Sequence, residues 1–197
     1  VSDGSFGPGK IYFGDIHTHS QLSDGRLLPE EKALELRDHR GCDFWALTDH
    51  CHDFTPQRVR RLNDTLETFN ADGSFATLPA YEWTNSMGQG KPFRKYYGHR
   101  NVYFRKLFDS APDGVSRTCN TPRKLCNTLE NQGVDFFFIH HFHCGDTTPF
   151  KGVDNAVEIS GWASDHPRET RGSANDIGGR IGVQDVWNSG LQAAVVA

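Results

Sequence analysis

Apolar residues along this chain gather in short runs, set between longer stretches in which they recur every three or four positions. Six runs read as strands: Lys10–Gly14, Asp43–Leu47, Phe75–Tyr81, Asn101–Phe104, Val134–Ile139 and Ala156–Ile159. They are continuous rather than alternating, which suits strands covered on both faces, as in a parallel sheet. Pro79 has no N–H for a ladder, so it predicts a bulge or an early end to the third. A first helix is expected over Pro29–Arg40, with proline in its first turn, Glu30 and Glu31 at the positive end of its dipole, and Gly41 closing it. Val59, Leu62, Leu66 and Phe69 share one face of a second helix starting near Pro56. Thr121 caps and Pro122 begins a third, with Leu125, Cys126 and Leu129 on one side until Gly133 stops it. Alternation of strand and helix predicts an α/β fold, open or closed into a barrel. No internal repeat, low-complexity tract or linker interrupts it, so residues 1–197 read as one domain.

Composition narrows the class. The 197 residues are 36% hydrophobic, 23% charged and 12% aromatic, which excludes a collagen-like or wholly disordered chain and allows a single sizeable core. Mean hydropathy is −0.61, and no apolar run approaches the roughly 18 residues that cross a bilayer. A net charge of −4 argues against a broad grip on nucleic acid. Cys42, Cys51, Cys119, Cys126 and Cys144 are odd in number and form no C-x-x-C pair, so free thiols are expected, with a slight lean towards a reducing cytoplasm. The first residues lack both an initiator Met and a signal pattern and read as a trimmed end, which leaves a lost leader open.

The ten histidines change the picture most, because they cluster beside Asp and Glu where the apolar runs end. The first run leads into Asp15-Ile16-His17-Thr18-His19, followed by Ser23-Asp24-Gly25. The second leads into Thr48-Asp49-His50, the third into Glu82, and the fifth into His140-His141-Phe142-His143; His99 and Arg100 precede the fourth. The carboxyl ends of strands form the rim on which α/β active sites are built. Alone, His17-x-His19 fits a surface pair as well as a ligand pair. With Asp24, His50, Glu82 and His99 directed to the same rim, a metal site is the better reading. Imidazole and carboxylate without thiolate favour zinc, manganese or iron. Cys51 and Cys144 read as packed thiols, His39 as solvated, and His52 as exposed or supporting.

These motifs, from Asp15-Ile16-His17-Thr18-His19 through Thr48-Asp49-His50 to Tyr81-Glu82-Trp83 and Gly98-His99-Arg100, resemble the polymerase and histidinol phosphatase (PHP) superfamily over about residues 10 to 160. The resemblance implies a distorted seven-stranded (β/α) barrel holding up to three divalent metal ions, and phosphoesterase activity. Carried over residue by residue, His17, His19 and Glu82 would serve one ion, and Asp24 and His50 a second. Glu82, His99 and one of His140 and His141 would serve a third. Matching the family's His-Pro position favours His141 over His140, and His143 is a weaker candidate. The family's last Asp-x-His motif is not visible, and Asp165-His166 lacks its spacing. The tail over 183–197 resembles the helix and strand leading into that motif, so the barrel is expected to stop short of closure. The Asp24–His50 position should then bind weakly unless a further C-terminal fragment completes it.

The expected function is metal-dependent hydrolysis of small phosphate esters by a metal-bridging hydroxide, with a small phosphorylated substrate as partner. Arg100 would add charge at the phosphoryl group, and Asp49 or His143 would relay protons. The basic residues Lys91, Arg94 and Lys95 are better read as a solvated loop. Amide or ester hydrolysis is the runner-up, and a metal-binding module without catalysis the alternative from another class.

Overall fold

The computed structural model describes residues 11–85, 97–141, 156–160 and 192–196. It is a mixed α/β chain, and its described residues form eight strands and three α-helices. In order these are β1 (Gly14–Thr18), α1 (Pro29–Leu34), β2 (Phe44–Leu47), α2 (Pro56–Phe69), β3 (Ala76–Leu78), β4 (Ala80–Thr84), β5 (His99–Phe104), α3 (Pro122–Asn131), β6 (Phe136–His141), β7 (Ala156–Ser160) and β8 (Gln192–Val196). One sheet has the order β1-β2-β3 and the other β4-β5-β6-β7-β8. The chain divides into two compact units, Val1–Glu82 with Tyr103–Ala111, and Trp83–Val102 with Pro112–Ala197.

In the first unit, β1, β2 and β3 pair in parallel. Strand β1 begins four residues later than the apolar run suggests, because Ile11 and Phe13 face outwards at 79% and 65% exposure. Gly14 is required at its start: a Cβ there would lie 2.4 Å from the Phe44 ring and carbonyl. Helix α1 starts at Pro29 as expected, and the Leu28 N–H is taken by the Glu31 carboxylate at 2.9 Å. It does not continue to Arg40 as an α-helix. Residues Glu35–His39 widen into a π-turn, with Arg40 N–H reaching back five residues to Glu35 O. Thr55 caps α2 by accepting from Arg58 N–H, and Val59, Leu62, Thr65 and Leu66 are its buried face. That face joins Trp45, Leu36 and Phe75 in the core, with Trp45 and Phe75 stacked at 6.5 Å. Tyr81, Phe104 and Phe108 form a second aromatic group, with ring centres 4.8 to 5.8 Å apart.

Pro79 does end a strand, and the chain passes there from the three-stranded sheet into the five-stranded one. An all-parallel arrangement does not follow. Phe104 N–H donates to Pro79 O and Asn85 N–H to Gly98 O, so β4 and β5 run in opposite directions. Both strands are buried at every position, and such burial gives a continuous apolar run whatever the strand's direction. In the second unit β6, β7 and β8 pair in parallel. Thr121 caps α3 by accepting from Lys124 N–H, and Leu125, Cys126 and Leu129 are buried beneath it. No helix among the described residues is long and apolar enough to cross a membrane.

Candidate metal centre

The end of β1 is fixed by polar contacts that a run of apolar residues could not supply. Its register against β2 slips between Asp15 and Thr18, which marks a bulge. Bulges re-aim side chains and leave an amide off the ladder. Here the His17 N–H is taken by Asp15 Oδ1 at 3.1 Å. Thr18, between the two histidines, is buried; its hydroxyl donates to Ala46 O at 2.8 Å and accepts from Trp45 Nε1 at 2.7 Å. Tyr103 Oη donates to Ile16 O at 2.7 Å. After His19 the chain turns sharply, and a Cβ at Gly25 would lie 2.3 Å from His19 O.

Within this frame three side chains meet. His17 Nε2 and His19 Nε2 are 3.2 Å apart, and Glu82 Oε2 lies 3.5 Å from the first and 3.1 Å from the second. Donor atoms around a tetrahedral zinc ion with bonds of about 2.0–2.1 Å stand roughly 3.3 Å from one another. The triangle therefore has the edge lengths of one face of such a site, and imidazole with carboxylate is a donor set that suits zinc, manganese and iron alike. His50 Nδ1 is 3.3 Å from the same Glu82 oxygen, and His50 Nε2 is 3.5 Å from Asp24 Oδ2. His19, Asp24 and His50 form a second group with metal-ligand spacing. A neutral imidazole has one lone pair, so His19 serves one of the two groups at a time. Given His19 Nε2 in the tighter triangle, the second group keeps Asp24 and His50. Burial pushes the Asp24 carboxyl upwards, but the His19 and His50 imidazoles, with hydrogen bonds from its own backbone and from Ser23, together outweigh it and hold the group below the usual carboxylate range.

Five of the expected ligands, His17, His19, Asp24, His50 and Glu82, are thus gathered in the first unit. His99 is the first residue of β5, not a residue before it, and is buried in the second unit. His140 and His141 lie inside β6 rather than beyond its end, and His140 is fully buried. His143, Lys91, Arg94, Lys95, Cys144, Asp165 and His166 fall outside the described residues. Arg100 is turned inwards: its guanidinium lies 5.8 Å over the Trp83 ring and donates to Tyr97 O at 2.6 Å. Trp83 is itself buried and donates to Cys119 O at 3.1 Å. Cys42, Cys51, Cys119 and Cys126 are not joined in disulfides.

Asp49 was expected to relay protons, and its surroundings are those of an anchor. It is fully buried and accepts from Ser20 N at 2.7 Å and from the Ser20 and Ser23 hydroxyls at 2.6 Å each. Ser20 and Ser23 are the functional neighbours that the sequence did not identify. Their only signal was a short polar run after His19, whose partner Asp49 stands more than twenty residues on.

No protein-family model and no curated protein matches the sequence. Among solved structures, the chain resembles a two-domain protein from Bacteroides vulgatus ATCC 8482 containing a predicted PHP-like metal-dependent phosphoesterase. The TM-score is 0.57 at 17% identity, over 97% of this chain and 51% of the other. The chain therefore spans about half the length of that protein, and the likeness is one of fold.

Proposed function

We infer that this chain is a metal-dependent hydrolase acting on small phosphate esters. The observation that carries the reading is the His17–His19–Glu82 triangle, whose edges of 3.1 to 3.5 Å suit one divalent ion. The PHP-type fold likeness supports phosphoesters over other hydrolysable groups, and supports the distorted barrel expected from the sequence. His17, His19 and Glu82 would hold a first ion, and Asp24 and His50 a second, less tightly, because two side chains seldom retain zinc at micromolar concentration. His99, His140 and His141 are carried as further candidate ligands on the sequence resemblance. Zinc, manganese and iron all suit this donor set, and up to three ions are expected. When bound, such ions supply Lewis acidity and lower the pKa of a water to near neutrality.

The chain's own residues supply position. Glu82, almost fully buried, holds negative charge where His17, His19 and His50 converge and so favours a cation there. The side chain of Asp24 is 68% exposed and marks the side from which a substrate phosphate would approach. The test is to load the stripped chain with zinc, manganese or iron, measure bound metal, and screen phosphomonoesters, phosphodiesters and amides. Phosphoester hydrolysis that needs the metal and falls with its removal is expected. Full activity in the stripped protein would overturn the reading, as would hydrolysis of amides alone.

A further inference from the structure

We propose that Asp49 is a positioning residue that sets the tautomer of His19 through the Ser23 hydroxyl, so that Nε2 is presented as the ligand atom. This rests on the metal-centre reading above. The chain of contacts is short and directional. Ser23 Oγ stands 2.6 Å from Asp49 Oδ1 and 3.2 Å from His19 Nδ1. A hydroxyl has one proton, and an ionised carboxylate only accepts. Ser23 Oγ has two carboxylate acceptors, Asp49 Oδ1 at 2.6 Å and Asp24 Oδ1 at 3.2 Å; the proton is assigned to the shorter contact, to buried Asp49, and the Ser23 oxygen is left to accept. What it accepts is the proton of His19 Nδ1. With Nδ1 protonated, the neutral ring keeps its lone pair on Nε2, the atom that faces His17 Nε2 at 3.2 Å and Glu82 Oε2 at 3.1 Å. Which ring nitrogen binds metal is commonly decided by the hydrogen bond made at the other.

The other contacts of Asp49 hold this arrangement still. Its second oxygen takes the Ser20 hydroxyl at 2.6 Å, and its first takes the Ser20 amide at 2.7 Å, so both carboxylate oxygens are committed to the turn. Ser20 Oγ in turn accepts from Leu22 N–H at 3.1 Å, and Ser20 O accepts from Gly25 N–H at 2.8 Å. Asp24 Oδ1 also lies 3.0 Å from His19 Nδ1, but on an exposed side chain. The buried anchor is Asp49, reached through Ser23.

The test reads the tautomer directly in the metal-free chain, by two-bond proton–nitrogen correlation of labelled histidine. In the wild type His19 Nδ1 should carry the proton. Ser23→Ala in an Asp24→Ala background should shift His19 towards the other tautomer, and Ser23→Thr, which keeps the hydroxyl, should not. Cobalt(II) titration supplies a second readout: Asp49→Asn and Ser23→Ala should each weaken binding about 10- to 100-fold, the range typical of groups that orient metal ligands, with Ser23→Thr near wild type. Unchanged His19 nitrogen shifts in the Ser23→Ala, Asp24→Ala chain would overturn the proposal. Should Asp49→Asn not fold, the half-buried Ser23 still decides. If the wild type binds no cobalt at all, the metal reading falls, while the tautomer measurement, made on Asp49→Asn as well, still settles whether Asp49 acts on His19 through Ser23.

Discussion

Glu82 and Asp49 lie in the same unit at 1% and 0% exposure, yet the atoms around them differ in kind. Asp49 is met by a backbone amide and two hydroxyls at 2.6 to 2.7 Å, donors that are fixed whatever the solution contains. Glu82 is met by three imidazole nitrogens at 3.1 to 3.5 Å, each of which can present either a proton or a lone pair. The first environment fixes a turn. The second suits a cation, because lone pairs directed at a buried carboxylate need positive charge between them. Burial and functional group are the same, and the chemistry of the partners separates the anchor from the proposed ligand.

That contrast is open to attack by substitution. The largest effect is expected from Glu82→Gln, which removes the negative charge at the centre of the imidazoles. Bound metal, by elemental analysis, should fall with the rate of phosphoester hydrolysis, by roughly two orders of magnitude or more, exceeding the 10- to 100-fold seen for orienting groups. Retained metal would show that Glu82 is no ligand. Asp49→Ala should act on folding as well as on metal binding: about 2–4 kcal/mol lost in denaturant unfolding of the metal-free chain, because it removes three hydrogen bonds to a charged group, worth about 1.5–3 kcal/mol each, and part of that loss is offset by no longer burying the charge. A stability unchanged within error would remove the anchor. Thr18→Val keeps shape but deletes the hydroxyl between Trp45 and Ala46, and about 1–2 kcal/mol of stability should go with it. The smallest effect concerns a third carboxylate. Burial, then the nearby Glu130 carboxylate, which accepts from the Sγ–H at 3.4 Å, push the Cys126 thiol up. Thiolate is the reactive form, so alkylation of Cys126 at pH 8 should be slower in the folded chain than in the unfolded one. Equal rates would show that the thiol is not shielded.

Much of the frame was legible because local signals state it directly. Pro29, Pro56, and Thr121 with Pro122 begin helices where expected; Gly41 lies just beyond the π-turn that follows the first and Gly133 just beyond the third, both at φ +66°. Pro79 marks a strand end. The strand limits around the site were not legible for a physical reason. Residues Gly14–Thr18 are held as a strand by side chains distant in sequence, Asp43, Trp45 and Tyr103 among them, whereas the apolar letters before them face outwards. The ligand types clustered visibly in sequence, and His17, His19, Asp24, His50 and Glu82 do meet. The direction of β5 against β4 and the employment of Asp49 depend on hydrogen bonds between residues far apart along the chain, which no local pattern carries.

The crossing of Gly25 over His19 gives this chain a weak point of an unusual type. Glycine has no donor atom for a metal and no group to titrate, so a survey of variants that looks only at ligands would pass over it. Any larger residue would need the space already held by His19 O, His19 C and Ser20 N, within 2.3 to 2.6 Å of the added carbon. The displaced backbone is the one that carries an imidazole of the triangle. On the proposed metal site, a variant at Gly25 should therefore lose metal with every proposed ligand intact, curable by excess metal in the medium if the distortion is small and incurable if the turn is lost.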